Sequence, residues 1–336
     1  MRPARFDFKG DPMSMFLRAR RWLPALLAAL SCALATAQPY PSKPVKILIP
    51  FAPGGSNDTV GRYLADNLQK RLGQPFVVEN RGGAGGVVGS EYVAKSPADG
   101  YTLLLVSTPH VANPSLYKKM PYDALRSFTP VARVLSAPVV VATFPGLGFK
   151  TLDDLVKAAK AKPGSLTFVS SGAGSYFHLA SEMFADQTQV KLLHVPYKGA
   201  GPAMADVIAG HADISIGSVL SALPHVKSGR LKALAVSGSR RQATMPDVPT
   251  MAEAGYPGYE ADNWWGLLAP AGTPADVVET LSRSIAEIMA MPQTASRFEA
   301  DGVTVSYQAP AAFKSFMEAE SRKWSQLIRA SGITAE

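Results

Sequence analysis

Along the chain, short apolar runs alternate with stretches in which apolar residues recur every three or four positions. "VKILIP" (45–50) has the pattern of a short buried strand. After it, Val60, Tyr63, Leu64, Leu68 and Leu72 stand at helical spacing and predict a helix over 59–72. "FVVEN" (76–80) predicts a second strand, followed by a glycine-rich turn and a helix beginning near Gly89; "YTLLLVS" (101–107) predicts a third strand. The order βαβαβ implies a parallel sheet with right-handed crossovers. Two further apolar runs fill 130–144, and "TLDDLVKAAKAKPG" predicts a helix capped by Thr151 and stopped at Pro163-Gly164. From 166 to 237 the alternation repeats: strands "LTFVSS", "LLHVPYK", "ADISIGS" and "LKALAVS", with helices from Tyr176 and Pro202. "NWWGLLAP" reads as a strand returning to the first unit, its Trp264 and Trp265 suited to packing at a hinge or walling a cleft. Two similar α/β units in series are expected.

The amino terminus departs from this pattern. Arg18, Arg20 and Arg21 precede an apolar run from Leu23 to Leu34 that closes on Ala35-Thr36-Ala37, the layout of a cleaved secretory signal peptide over 1–37, with Met13 or Met15 as alternative starts. A membrane anchor fits less well, because the run is short and nothing extends it. Lipidation at Cys32 fits less well too, because the Leu usual three residues before a lipidated Cys is missing. Removing six basic and two acidic residues with this segment leaves 28 basic and 24 acidic groups, so the net charge of +8 falls to +4. No dense Lys/Arg run survives, which argues against nucleic acid as a partner. The single cysteine leaves as well, so the mature chain has no disulfide or thiolate chemistry.

Open α/β sheets bind ligands beyond the carboxyl ends of their strands. The turns there read "FAPGGSND", "TPHVANP", "SGAGSYFH" and "YKGAGPA". Glycine admits a close ligand, and the first-turn N–H groups of a helix attract anions. One such turn is ordinary capping; four together point to a cleft for an acidic molecule. There is no G-x-G-x-x-G, Walker or G-x-S-x-G motif, and the histidines at 110, 178, 194, 211 and 225 form no close metal pair. A binding protein without cofactor, metal or catalytic group is expected, against the alternative of a secreted hydrolase or lyase.

The blocks "PFAPGGSNDTVGR", "VVENRGGAGGVVGSEYVAKSPADGYTLL", "SSGAGSYFHLASEMF", "HVPYKGAGPAMADVIAGHADI" and "PDVPTMAEAGYPGYEADNWWGLLAPAGTP" resemble, in order and across about 41–332, the tripartite tricarboxylate transporter receptors, or Bug receptors. The resemblance implies a monomeric periplasmic solute-binding protein of the type II-like Venus-flytrap fold with two hinge strands. One domain would comprise 38–142 plus 262–336 and the other 143–261. It implies a small carboxylate as ligand (a di- or tricarboxylate, amino acid or aromatic acid) and the large and small subunits of a membrane permease as partners. A sensor for a membrane signalling partner shares fold and site. Carried over by position, the first binding loop is Pro53, Gly54, Gly55, Ser56, Asn57 and Asp58; the second is Ser170, Ser171, Gly172, Ala173, Gly174 and Ser175. Thr108, His110, Tyr197, Lys198 and Asp213 stand where the family also lines its cleft. Where the family usually carries an aromatic residue after that Asp, this chain has Ile214-Ser215-Ile216-Gly217-Ser218, a smaller and more polar wall. Asp58 sets a puzzle, since a carboxylate in a carboxylate-binding turn should repel its ligand. Serving the helix dipole and accepting a ligand or water hydrogen bond are the two expected roles.

Overall fold

The computed structural model describes residues 40–197 and 199–335. The signal peptide read over 1–37, and Lys198, lie outside the described residues. Residues 43–336 form one compact unit holding two sheets.

In chain order the first half runs β1 (Val45–Ile49), α1 (Ser56–Leu72), β2 (Phe76–Asn80), α2 (Val87–Ala94), β3 (Thr102–Ser107), α3 (Pro109–Leu116) and β4 (Phe128–Ala137). The chain then crosses to β5 (Val139–Thr143), α4 (Leu152–Ala161), β6 (Thr167–Ser170), α5 (Tyr176–Thr188), β7 (Leu193–Pro196), α6 (Ala200–Ala209), β8 (Ile214–Ser218), α7 (Val219–Lys227) and β9 (Lys232–Val236). It returns through β10 (Asn263–Pro270), α8 (Ala275–Met289), α9 (Pro292–Glu299), β11 (Thr304–Gln308) and α10 (Pro310–Ser331). Among the described residues no helix is long and apolar enough to cross a membrane.

The first sheet has the order β11-β4-β10-β3-β1-β2 and the second β7-β6-β8-β5-β9. Each holds a parallel trio, β2-β1-β3 and β7-β6-β8, as the βαβαβ reading requires. Each trio is then flanked by an antiparallel strand that arrives from the other half of the chain: β10 beside β3, and β5 beside β8. The sheets are therefore mixed, and the chain crosses between them twice. The first crossing falls at Pro138, earlier than the boundary expected at 142, because β5 pairs with β8 and β9. Pro138 has no N–H to give a ladder and ends β4 there.

Local chemistry accounts for several element ends. Thr151 caps α4 in a reciprocal capping box with Asp154. α1 starts at Ser56, three residues ahead of the expected 59, with Gly55 as N-cap and Gly73 in the left-handed conformation as C-cap. Trp264 and Trp265, adjacent on β10, point to opposite faces of the sheet as strand residues must. Trp264 packs edge-on against Phe313 and Phe316 of α10, while the Trp265 indole donates to Asn57 Oδ1 at 2.6 Å. Both rings are buried.

Candidate functional site

The loop between β1 and α1 is built around two glycines with different duties. Gly54 sits at φ +87°, a backbone geometry that favours glycine, and its N–H donates to Asp58 Oδ2 at 3.0 Å. Gly55 has ordinary extended backbone and, as an N-cap without a side chain, leaves the first-turn N–H groups of α1 open. A Cβ at Gly55 would meet nothing within 4 Å, so there is open space above it. Phe51 and Pro50 rest on Gly86 of the glycine-rich turn after β2, and Asn113 of α3 holds that turn by donating to the Gly85 carbonyl at 3.0 Å.

Asp58 is buried and its oxygens are taken by its own chain. Oδ2 accepts from Gly54 and from Arg62 Nε at 2.9 Å, and Oδ1 accepts from Asn80 Nδ2 at 3.0 Å. The Arg62 hydrogen bond, opposed by burial and helped by Gly54 and Asn80, holds the carboxyl down at about 2. Asp58 therefore fastens the loop to α1 and β2, and Arg62 offsets its charge. No sequence motif or spacing singles out Asn80, whereas the (i, i+4) spacing of Asp58 and Arg62 is a signal for that pair.

The loop between β6 and α5 is fastened in a comparable way. Gly172 (φ +131°) and Gly174 (φ +70°) make the turn. The Ser170 hydroxyl, fully buried, accepts from the Gly172 N–H at 3.2 Å and lies 3.0 Å from the Gly172 carbonyl and 2.7 Å from His194 Nε2. Gly174 donates its N–H to His178 Nδ1 at 3.0 Å, which places the proton of a neutral His178 on Nε2, facing Glu182. Ser175 caps α5 through the His178 N–H. The His178 and His194 rings stack at 3.9 Å beneath this turn, and burial first, then His178, lowers His194 to about 4. Among the described residues no acceptor takes the N–H of Ser171 or Ala173. Beside them a crevice opens between Ser170, Ser171, Phe177, Met204, Gly217 and Ser221, next to the uncapped start of α6. The same short helix meets the turn after β2 and the second loop: Asn113 of α3 holds the Gly85 carbonyl, and Leu116 faces Gly174.

Other expected contacts fall elsewhere. Asp213 stands before β8, at the end of the sheet away from this crevice. Its Oδ2 accepts from Thr167 N (2.7 Å) and Oγ1 (2.9 Å), so it clamps the starts of β6 and β8. His110 is turned into the core, donating to the Ala124 carbonyl (2.9 Å) among Tyr122 and Phe128, and burial lowers it to about 4. As a neutral ring its Nε2 is the donor, because a carbonyl only accepts. Both side chains are taken up by partners within the fold. Thr108 is fully buried at the start of α3 with its hydroxyl unpartnered. Tyr197 donates its N–H to Ser170 O (3.0 Å) and its hydroxyl to Asp206 (2.5 Å), bracing the second loop.

Two α/β halves, each with a glycine turn carrying unclaimed N–H groups after the central strand of its parallel trio, define a two-lobed solute-binding protein. Residues 60–333 match the tripartite tricarboxylate transporter family receptor (TctC), and the chain belongs to that family of periplasmic, non-enzymatic receptors. It is 40% identical to the protein BugT of Bordetella pertussis, over 91% of this chain and 97% of that one. An R. palustris protein whose structure holds adipate superposes with a TM-score of 0.80 at 32% identity, covering 88% of this chain and 99% of its own. MatC from Rhodopseudomonas palustris with bound malate superposes at 0.76 with 30% identity, covering 86% and 100%.

Proposed function

We propose that this chain captures a small carboxylate between the Pro53–Asp58 and Ser170–Ser175 loops and hands it to the large and small membrane subunits of a tripartite transporter. The observation that carries this reading is the pair of glycine turns: the first-turn N–H groups of α1 have no side-chain cap, and the N–H groups of Ser171 and Ala173 have no acceptor among the described residues. Such groups suit an anion without supplying a fixed counter-charge. Asp58 fits the reading because its charge is already spent on Arg62, Gly54 and Asn80. The relatives holding adipate and malate support a carboxylate as the ligand class. The signal pattern supports export with cleavage near Ala37 and a mature chain in the periplasm.

Mass spectrometry of what co-purifies, followed by a melting-temperature panel of mono-, di- and tricarboxylates including malate and adipate, tests it. Stabilisation by at least one carboxylate, abolished in Gly55→Val, is expected. A panel with no stabilising acid, or stabilisation unchanged in Gly55→Val, would remove the reading.

A further inference from the structure

The connector between β9 and β10 forms, with β4 and α10, a cavity of about 470 Å³ that shares no residue with either loop. That volume falls in the range of small-molecule sites, roughly 300–1,000 Å³. It lies on the Trp264 side of β10, where Glu320 and Phe316 stand, whereas the Pro53–Asp58 loop is held from the Trp265 side. The returning strand therefore separates the two.

Two of the charged groups here are fully engaged. Glu320 accepts from the indoles of Trp264 and Trp324 and pairs with Lys323, whose ammonium also donates to the Glu260 carbonyl at 2.9 Å. Arg133 and Asp262 are not. The Arg133 guanidinium lies 4.0 Å over the Phe316 ring; its Nε is buried without an acceptor, and no carboxylate among the described residues comes within ion-pair distance. Asp262 accepts from Ser237 at Oδ1 (2.6 Å), while its Oδ2 has no donor among the described residues. A half-buried cation and a half-buried anion face one cavity without touching, each with hydrogen-bonding capacity that the chain leaves unfilled. A molecule bearing one carboxylate and one ammonium would complete both. We propose that this cavity is a second site, on the hinge, for an amino acid zwitterion, with its carboxylate on Arg133 and its ammonium on Asp262. Phe316, Ala252 and Pro257 supply wall for an apolar side chain.

Calorimetry with the full chain tests this using L-leucine and two probes that each lack one charge, 4-methylpentanoate and 3-methylbutylamine. L-Leucine should bind the parent and Gly55→Val alike and weaken at least about tenfold, or 1.4 kcal/mol, in Arg133→Gln and in Asp262→Asn. Either substitution changes a half-buried charge and lowers stability on its own account. Ser239→Trp, at an exposed lining position, therefore serves as a second variant that blocks the cavity without touching either charge, and should weaken L-leucine equally. Neither single-charge probe should bind Gly55→Val. Three results overturn the proposal: no L-leucine binding to the parent; binding lost in Gly55→Val but kept in Ser239→Trp, which puts it in the cleft; or 4-methylpentanoate binding Gly55→Val as well as L-leucine does.

Discussion

Gly54 and Gly55 are neighbours with opposite tolerance. Gly54 at φ +87° holds a conformation that an L side chain strains to adopt, so Gly54→Ala should cost about 1 kcal/mol or more in stability, read from denaturant midpoints. Gly55 has ordinary φ and open space above it, so Gly55→Val should fold with nearly parental stability. Its branched side chain would fill the space an incoming carboxylate needs, so the affinity for the stabilising carboxylate should fall at least about tenfold. A Gly55→Val protein that binds that acid unchanged makes the turn an ordinary helix start. Asp58 belongs to the same turn, and its effect has a definite sign with pH. Its folded value is lowered to about 2 from an ordinary 3.8, so its contribution is complete above about pH 4 and is lost as pH falls towards 2. Because Arg62 is half exposed and screened, that contribution is about 1–2 kcal/mol. Asp58→Asn should lower the melting temperature at pH 7 and flatten the acid limb of the stability profile. An unchanged acid limb would free Asp58 from its structural role and return it to the ligand.

At the scale of elements, the β6–α5 turn stands on two stacked imidazoles, and β3–α3 holds a third, His110. His194 and His110 are each lowered to about 4, so the unfolded chain binds more protons between that value and about 6.5. Their contribution to stability is therefore complete above about pH 6.5 and is lost as pH falls through 4. The melting temperature should drop between pH 7 and pH 5, and by less in the His194→Gln variant; a parental drop in that variant would show that His194 does not drive it. Asp213→Ala should lower stability by about 1–3 kcal/mol, the penalty for stranding Thr167's donors, yet leave affinity intact. Both glycine turns, the Thr151 cap and the returning strand "NWWGLLAP" were legible, because caps and apolar runs act through local chemistry. So was the start of "ADISIGS", which already put Asp213 at the amino end of its strand, opposite any site beyond the carboxyl ends. His110 was not legible as core, since the first turn of α3 decides whether it faces cleft or aromatics. The sheet to which "PVVVAT" belongs was not legible either: a doubly buried strand has the same pattern in any sheet.

For the whole molecule, the two crossings set how the lobes can move. Pro138 separates β4 from β5, and Ser237 stands at the end of β9, fully buried between the crossings. Its hydroxyl accepts from the Val139 N–H at 2.8 Å and donates to Asp262 at 2.6 Å, so one side chain ties the outgoing crossing to the returning one. Lobes joined by two tied strands should rotate as rigid bodies about a single hinge. Binding a carboxylate between the two loops should therefore lower the radius of gyration in solution scattering. The acid to use is the one that most raises the melting temperature. Ser237→Ala removes both bonds, costing about 1–2 kcal/mol of stability, and releases the crossings from each other. The free protein should then sample a wider range of interlobe angles, while the bound form keeps the parental profile. Affinity should fall because more freedom is lost on closing. If saturating acid leaves the parental scattering profile unchanged, the lobes do not close and the loops bind from a fixed cleft. If Ser237→Ala broadens nothing while lowering stability, the hydroxyl supports the hinge without coordinating it.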